Sequence, residues 1–149
     1  MVKEQRSLES MSHPEAIELL AAASVGRVVF TVAALPAIMP VTFAVHGDSI
    51  VMRTSAGTRL AVAADHGVLT FEVDNVDPVA RLGWSVVVTG IAEIVTDPVQ
   101  RAAIHGLVEP FAPGHNDVCV RLPLAVVTGR RVAVGAAIGP ARAIAAGVS

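Results

Sequence analysis

Hydrophobic and polar positions along the chain change period several times, and each change marks an element. Ser12-His13-Pro14-Glu15 has the capping-box pattern with proline in the first turn. Ile17, Leu20 and Ala21 then recur on one face, which predicts a helix ending near Ala23. From Gly26 the helical period is lost. Residues 27–32, 37–45 and 49–54 read as β-rich runs separated by the turn segments Ala33-Ala34-Leu35-Pro36 and His46-Gly47-Asp48, an antiparallel meander. Behind Thr58, residues 59–65 are a short helical candidate, residues 68–73 a further strand, and Asp74-Asn75-Val76-Asp77-Pro78 a polar loop. Residues 84–95 form a long strand in which Gly90 marks the expected bend. Asp97 and Pro98 open a helix that runs to about Leu107, and residues 118–122 and 125–132 close the pattern as two strands around Pro123.

Short strands divided by turns, with few helices and no strand-helix-strand alternation, predict a mainly β domain, a small antiparallel β-barrel. Residues 12–132 carry this pattern. Residues 1–11 read as an N-terminal extension, and the Ala-rich residues 133–149 as a loosely ordered tail.

A chain of 149 residues buries ~68–70% of its unfolded surface in one domain. Its composition is 53% hydrophobic, but the excess is mostly Ala and Val, and no charge-free apolar run of ~18 residues is available to span a bilayer. Apolar surface beyond what one small domain hides predicts a homodimer rather than a membrane partner. A net charge of −2 and 3% aromatic residues argue against nucleic acid, which needs a basic footprint or stacking platforms. The first eleven residues mix Lys3 and Arg6 with Glu4 and Glu9 and have no apolar core, so they read as neither signal nor transit peptide, and a cytoplasmic location is expected.

Cys119 is the only cysteine, and the five histidines are scattered without ligand spacing, so no disulfide and no metal site is expected. Ser55 and Ser85 lack a Gly-x-Ser-x-Gly context, and there is no Walker loop or dinucleotide glycine fingerprint.

Three segments keep chemical interest. In IVMRTSAGTRL, residues 50–60, an apolar strand runs into Arg53, Thr54, Thr58 and Arg59 around Gly57. Forked guanidinium and hydroxyl donors there suit a phosphate; a solvated strand end with Thr58 capping the next helix accounts for the same residues. In LGWSVVVTG, Trp84 and Ser85 stand at the mouth of an apolar strand, where a planar ring or a second subunit can pack. Pro36 and Pro40 bracket a strand, which marks an edge or a backbone that faces a ligand.

Taken in order, GRVVFTVAALPAIMPVTF, GDSIVMRTSAGTRLA, FEVDNVDPVARLGWSVVVTGIAEIV, EPFAPG and VTGRRV resemble the pyridoxamine 5′-phosphate oxidase-like superfamily of flavin-binding split β-barrels, over residues 12–132. The resemblance implies a six-stranded antiparallel Greek-key split β-barrel and a homodimer with one FMN in each of two interfacial clefts. It implies that Arg53, Thr54, Thr58 and Arg59 hold the phosphate. Pro40, Val41 and Thr42 would then run beside the isoalloxazine, with Met52 on the adjacent strand, and Trp84 and Ser85 would approach from the second subunit. The chain departs from true pyridoxamine phosphate oxidases in having no histidine after His115, so their C-terminal Arg-x-His substrate motif is missing. The implied function is an FMN-binding, flavin-dependent oxidoreductase with hydride transfer through the flavin. A deazaflavin-dependent reductase using the same cleft and a non-catalytic flavin-binding or sensor protein remain open, and no side chain stands out as a catalytic acid or base.

Overall fold

Capping chemistry sets the helix starts. Ser12 accepts from the Glu15 N–H and begins α1 (His13–Ala22), Thr58 accepts from the Ala61 N–H and begins α2 (Arg59–Ala63), and Asp97 accepts from the Gln100 N–H and begins α3 (Pro98–Leu107). A computed structural model describes residues 4–136. The strands are β1 (Glu4–Ser10), β2 (Val25–Val32), β3 (Leu35–Thr42), β4 (Ala44–His46), β5 (Ser49–Thr54), β6 (Val68–Asp77), β7 (Leu82–Ile91), β8 (Glu93–Val95), β9 (Val118–Pro123) and β10 (Val126–Ala136). No helix among the described residues is long and apolar enough to cross a membrane.

All pairings are antiparallel, in a six-stranded sheet ordered β1-β10-β7-β6-β2-β3 and a four-stranded sheet ordered β4-β5-β9-β8. Only Phe43 separates β3 from β4, and only Ala92 separates β7 from β8, so two bent strands carry the chain from one sheet to the other. Following the pairs from β2 through β3/β4, β5, β9, β8/β7 and β6 returns to β2 and closes a six-stranded barrel. Three consecutive strands followed by β6 returning beside the first is the Greek-key order. The barrel is split because β9 pairs with β8 while β10 pairs with β7, along one bent strand.

Alternation sends Val28, Phe30, Leu69, Phe71, Val86 and Val88 into the barrel, where Phe71 meets Phe43 edge to face with centroids 4.7 Å apart. Leu20 of α1 is fully buried against this core. A smaller cluster of Val51, Val95, Ile104, Val108 and Cys119 lies under α3.

Several boundaries differ from the sequence expectation. Residues 4–10 are not a free extension: β1 pairs with β10 from Glu4↔Ala136 to Ser10↔Arg130, as an exposed edge strand without the burial alternation that would reveal it. β10 itself continues through residues 133–136, assigned above to the tail, while residues 137–149 lie outside the described residues. Residues 74–77 are strand rather than loop, since β6 and β7 stay in register to Asp77↔Leu82, and their exposed polar character masks the pairing. The bend after β7 falls at Ala92, whose N–H donates to the Gly67 carbonyl. Gly90 serves close packing instead, a Cβ there meeting the Pro123 carbonyl oxygen at 3.2 Å. The β2–β3 connection is a two-residue loop of Ala33 (φ 52) and Ala34 (φ 63), a left-handed pair with no glycine.

Candidate functional site

β3 is the outer strand of the six-stranded sheet, so one edge of its backbone has no strand partner among the described residues, and Pro36 and Pro40 interrupt that edge. The end of β5 and the start of α2 lie next to it. Pro40, Val41, Thr42, Arg53 and Thr54, five of the ten residues the sequence singles out, line one cleft there, together with Pro110–Ala112 and Asn116 from the loop between α3 and β9. The cleft encloses about 30 Å³, room for water-sized groups and not for a tricyclic ring.

The polar groups of this cleft are already partly committed. Arg53 donates through Nε to the Asn116 carbonyl and through Nη1 to the Val108 carbonyl, both at 3.0 Å. Three of its five N–H donors remain for a ligand. Thr58 Oγ1 caps α2 and donates to the Ser55 carbonyl at 3.0 Å, which leaves the buried Thr54 hydroxyl to donate to Thr58 Oγ1 at 2.9 Å. Thr42 donates to the Glu109 carbonyl at 2.9 Å. The capping account of Thr58 is thus realised, and the free donors that suit a phosphate are the guanidinium of Arg53 and that of Arg59, which is exposed at the first residue of α2. Gly57, at φ 80, has nothing within 4 Å of the position a Cβ would take, so the turn between the arginines stays open to an approaching group.

Met52 is fully buried in the barrel core, so its side chain does not reach the cleft. Trp84 and Ser85 lie elsewhere in the same chain, at a hollow bounded by β1, β10 and the β6–β7 hairpin, and this fold does not bring them to Arg53.

Two features have no role assigned from the sequence. The first is the 108–116 loop, quoted above only for the EPFAPG segment. Asn116, at φ 51, receives Arg53 on its carbonyl, donates its N–H to Ser55 Oγ at 3.1 Å, and ties the loop with its amide to the carbonyls of Ala112 and Gly114. Its prolines and glycine were the available signal. The second is Glu72, on the outer face of the six-stranded sheet, with Arg27 opposite on β2 and Val87 on β7. Its Oε1 is buried without a hydrogen-bond partner among the described residues; burial, reinforced by Asp74, pushes its carboxyl up to about 7, with Arg27 pulling weakly the other way.

The sequence profile described as pyridoxamine 5′-phosphate oxidase matches residues 12–131. An uncharacterized protein of Mycobacterium tuberculosis is 42% identical over 132 residues, covering 85% of this chain and 87% of its own. The structure of an FAD binding protein from Mycobacterium smegmatis superposes with a TM-score of 0.68 at 34% identity, over 82% of this chain and 96% of that one. A FAD-binding protein from Mesorhizobium loti, at 20% identity and a TM-score of 0.69 over 83% of this chain and 97% of its own, shares the fold.

Proposed function

The chain belongs to the pyridoxamine 5′-phosphate oxidase family, and from that premise we propose that it is an FMN-binding, flavin-dependent oxidoreductase of the cytoplasm, working as a homodimer. The observation that carries this reading is the guanidinium of Arg53 in the cleft beside the open edge of β3, with the exposed Arg59 opening α2 just after the turn that follows β5. The Mycobacterium smegmatis relative, 34% identical, is an FAD binding protein, and FAD carries the ring and 5′-phosphate of FMN.

The chain's own part is to bind and orient. Arg53, already fixed by two backbone carbonyls, keeps three N–H donors for a ligand, and Arg59 adds the second positive charge that a phosphate dianion calls for. Pro40, Val41 and Thr42 offer a strand edge against which a flat ring lies, and Trp84 and Ser85 of the second copy complete the ring's surroundings. Bound flavin supplies two-electron hydride chemistry. A deazaflavin would use the same grip, and competition against FMN separates the two.

The test is the absorbance of the purified protein and a titration of apoprotein with FMN, with released flavin identified chromatographically and dimer mass measured by sedimentation. Arg59→Ala is the informative variant, because Arg59 is exposed and its loss leaves the fold intact. Removal of a charge-assisted contact worth about 1.5–3 kcal/mol weakens FMN by about 10- to 100-fold. Wild-type protein that neither retains nor binds flavin at micromolar concentration would end the reading.

A further inference from the structure

A hollow of about 470 Å³ lies at one end of the outer face of the six-stranded sheet, within the size range of small-molecule sites. Its floor follows from strand register. Val76 pairs with Gly83, Gly83 with Val132 and Val132 with Leu8, so one row across β6, β7, β10 and β1 is apolar, with the side-chain-free Gly83 lowering its middle. Leu8 and Val76 are 63% exposed on this floor.

The rim is cationic. Arg81 and Arg130 border the hollow, and neither guanidinium has a hydrogen-bond or ion-pair partner among the described residues. Arg131 beside them is buried and paired with Glu15. The one acid on the wall, Asp77, has its Oδ1 engaged by the N–H groups of Val79 and Ala80. Arg81 is held at φ 59, a left-handed backbone uncommon for a non-glycine residue, with its N–H bonded to the Asp77 carbonyl. Trp84 also lines the hollow, and its indole N–H is buried without a partner among the described residues.

An apolar floor and two uncompensated guanidinium groups define a ligand by its chemistry. We propose that this hollow binds a flat, apolar molecule bearing a carboxylate, which Arg81 and Arg130 hold by its charge while its ring packs over Val76 and Val132. This molecule is the substrate on the flavin reading above, in which Trp84 and Ser85 border the ring of the partner's cofactor, and that assignment rests on that reading. The binding site itself does not depend on it.

The probe is 2-naphthoate, with 2-naphthalenemethanol as its neutral counterpart, added to full-length protein in flavin-free and FMN-loaded forms. The chain has a single tryptophan, so the one indole N–H cross-peak in a nitrogen-15 NMR spectrum reports Trp84 alone. A saturable shift of that peak is expected with naphthoate, with binding at least about ten-fold weaker for the alcohol and for the double variant Arg81→Gln/Arg130→Gln, whose backbone spectrum confirms the fold. Equal affinity for acid and alcohol, or no effect of the double variant, overturns the proposal. In the FMN-loaded form, a change in the flavin absorption band on adding naphthoate supports its place as substrate. Displacement of naphthoate by FAD but not by FMN would instead give the hollow to the adenylate half of a cofactor and overturn that assignment. Naphthoate binding to protein that takes up no flavin leaves the site standing and removes the flavin reading; flavin binding without naphthoate binding does the reverse.

Discussion

Replacing Arg53 with alanine is expected to destabilise the fold as well as weaken flavin binding. Arg53 joins β5 to the 108–116 loop through two hydrogen bonds of 3.0 Å, to the carbonyls of Asn116 and Val108. Hydrogen bonds from a charged donor are worth about 1.5–3 kcal/mol each, and water replaces part of that at a half-buried site, so the net loss is about 2–3 kcal/mol. For a domain of this size that corresponds to a fall in Tm of about 6–10 °C. Arg53→Lys, with a single point of attachment, retains at most one of the two bonds and falls between. Thermal and urea unfolding of the three proteins without flavin measures the effect, and amide exchange locates it: protection is lost at residues 108–116 and kept in the barrel strands. A destabilisation below about 0.5 kcal/mol for Arg53→Ala would show that the guanidinium does not hold the loop. It follows that flavin loss in this variant does not isolate the phosphate contact, whereas flavin loss in Arg59→Ala does.

Glu72 ties stability to pH. Its folded carboxyl, raised by burial to about 7 from an ordinary 4.5, binds a proton that the unfolded chain releases earlier, so stability falls as pH rises from about 4.5 to 7. Glu72→Gln should flatten that slope in urea titrations and leave the variant more stable above pH 8 by about 1 kcal/mol after solvent screening; an unchanged slope would place Glu72's titration in the normal range. Asn-Gly in place of Ala33-Ala34 suits a left-handed two-residue loop, and should stabilise the protein by about 1 kcal/mol, visible as a rise in Tm. A neutral or negative change would contradict that turn geometry.

Most of the helix starts and strands were legible because their signals are local. Ser12, Thr58 and Asp97 cap their helices through N–H groups three residues away, and alternation along 27–32 and 84–91 follows from which side of a strand meets the core. Arg53, Thr54, Thr58 and Arg59 were found together for the same reason, since a strand end and the turn after it are neighbours in any fold. The exposed strands were hidden. β1 and the outer half of β6 bury too little apolar surface to print a period, and their pairing is decided by partners remote in sequence.

The order of residues is therefore enough for the donor set and the barrel alphabet: which residues can grip an anion, and which stretches pleat or coil. Tertiary structure alone decided how those donors are spent. It committed the hydroxyls of Thr58 and Thr42 and part of Arg53 to backbone carbonyls and the hydroxyl of Thr54 to Thr58, buried Met52, set Glu72 where its charge is costly, and gathered Arg81 and Arg130 around an apolar floor. Hydrogen bonding and desolvation act over a few ångströms of space, and only the folded chain brings β5 to the 108–116 loop, or Leu8 to Val132.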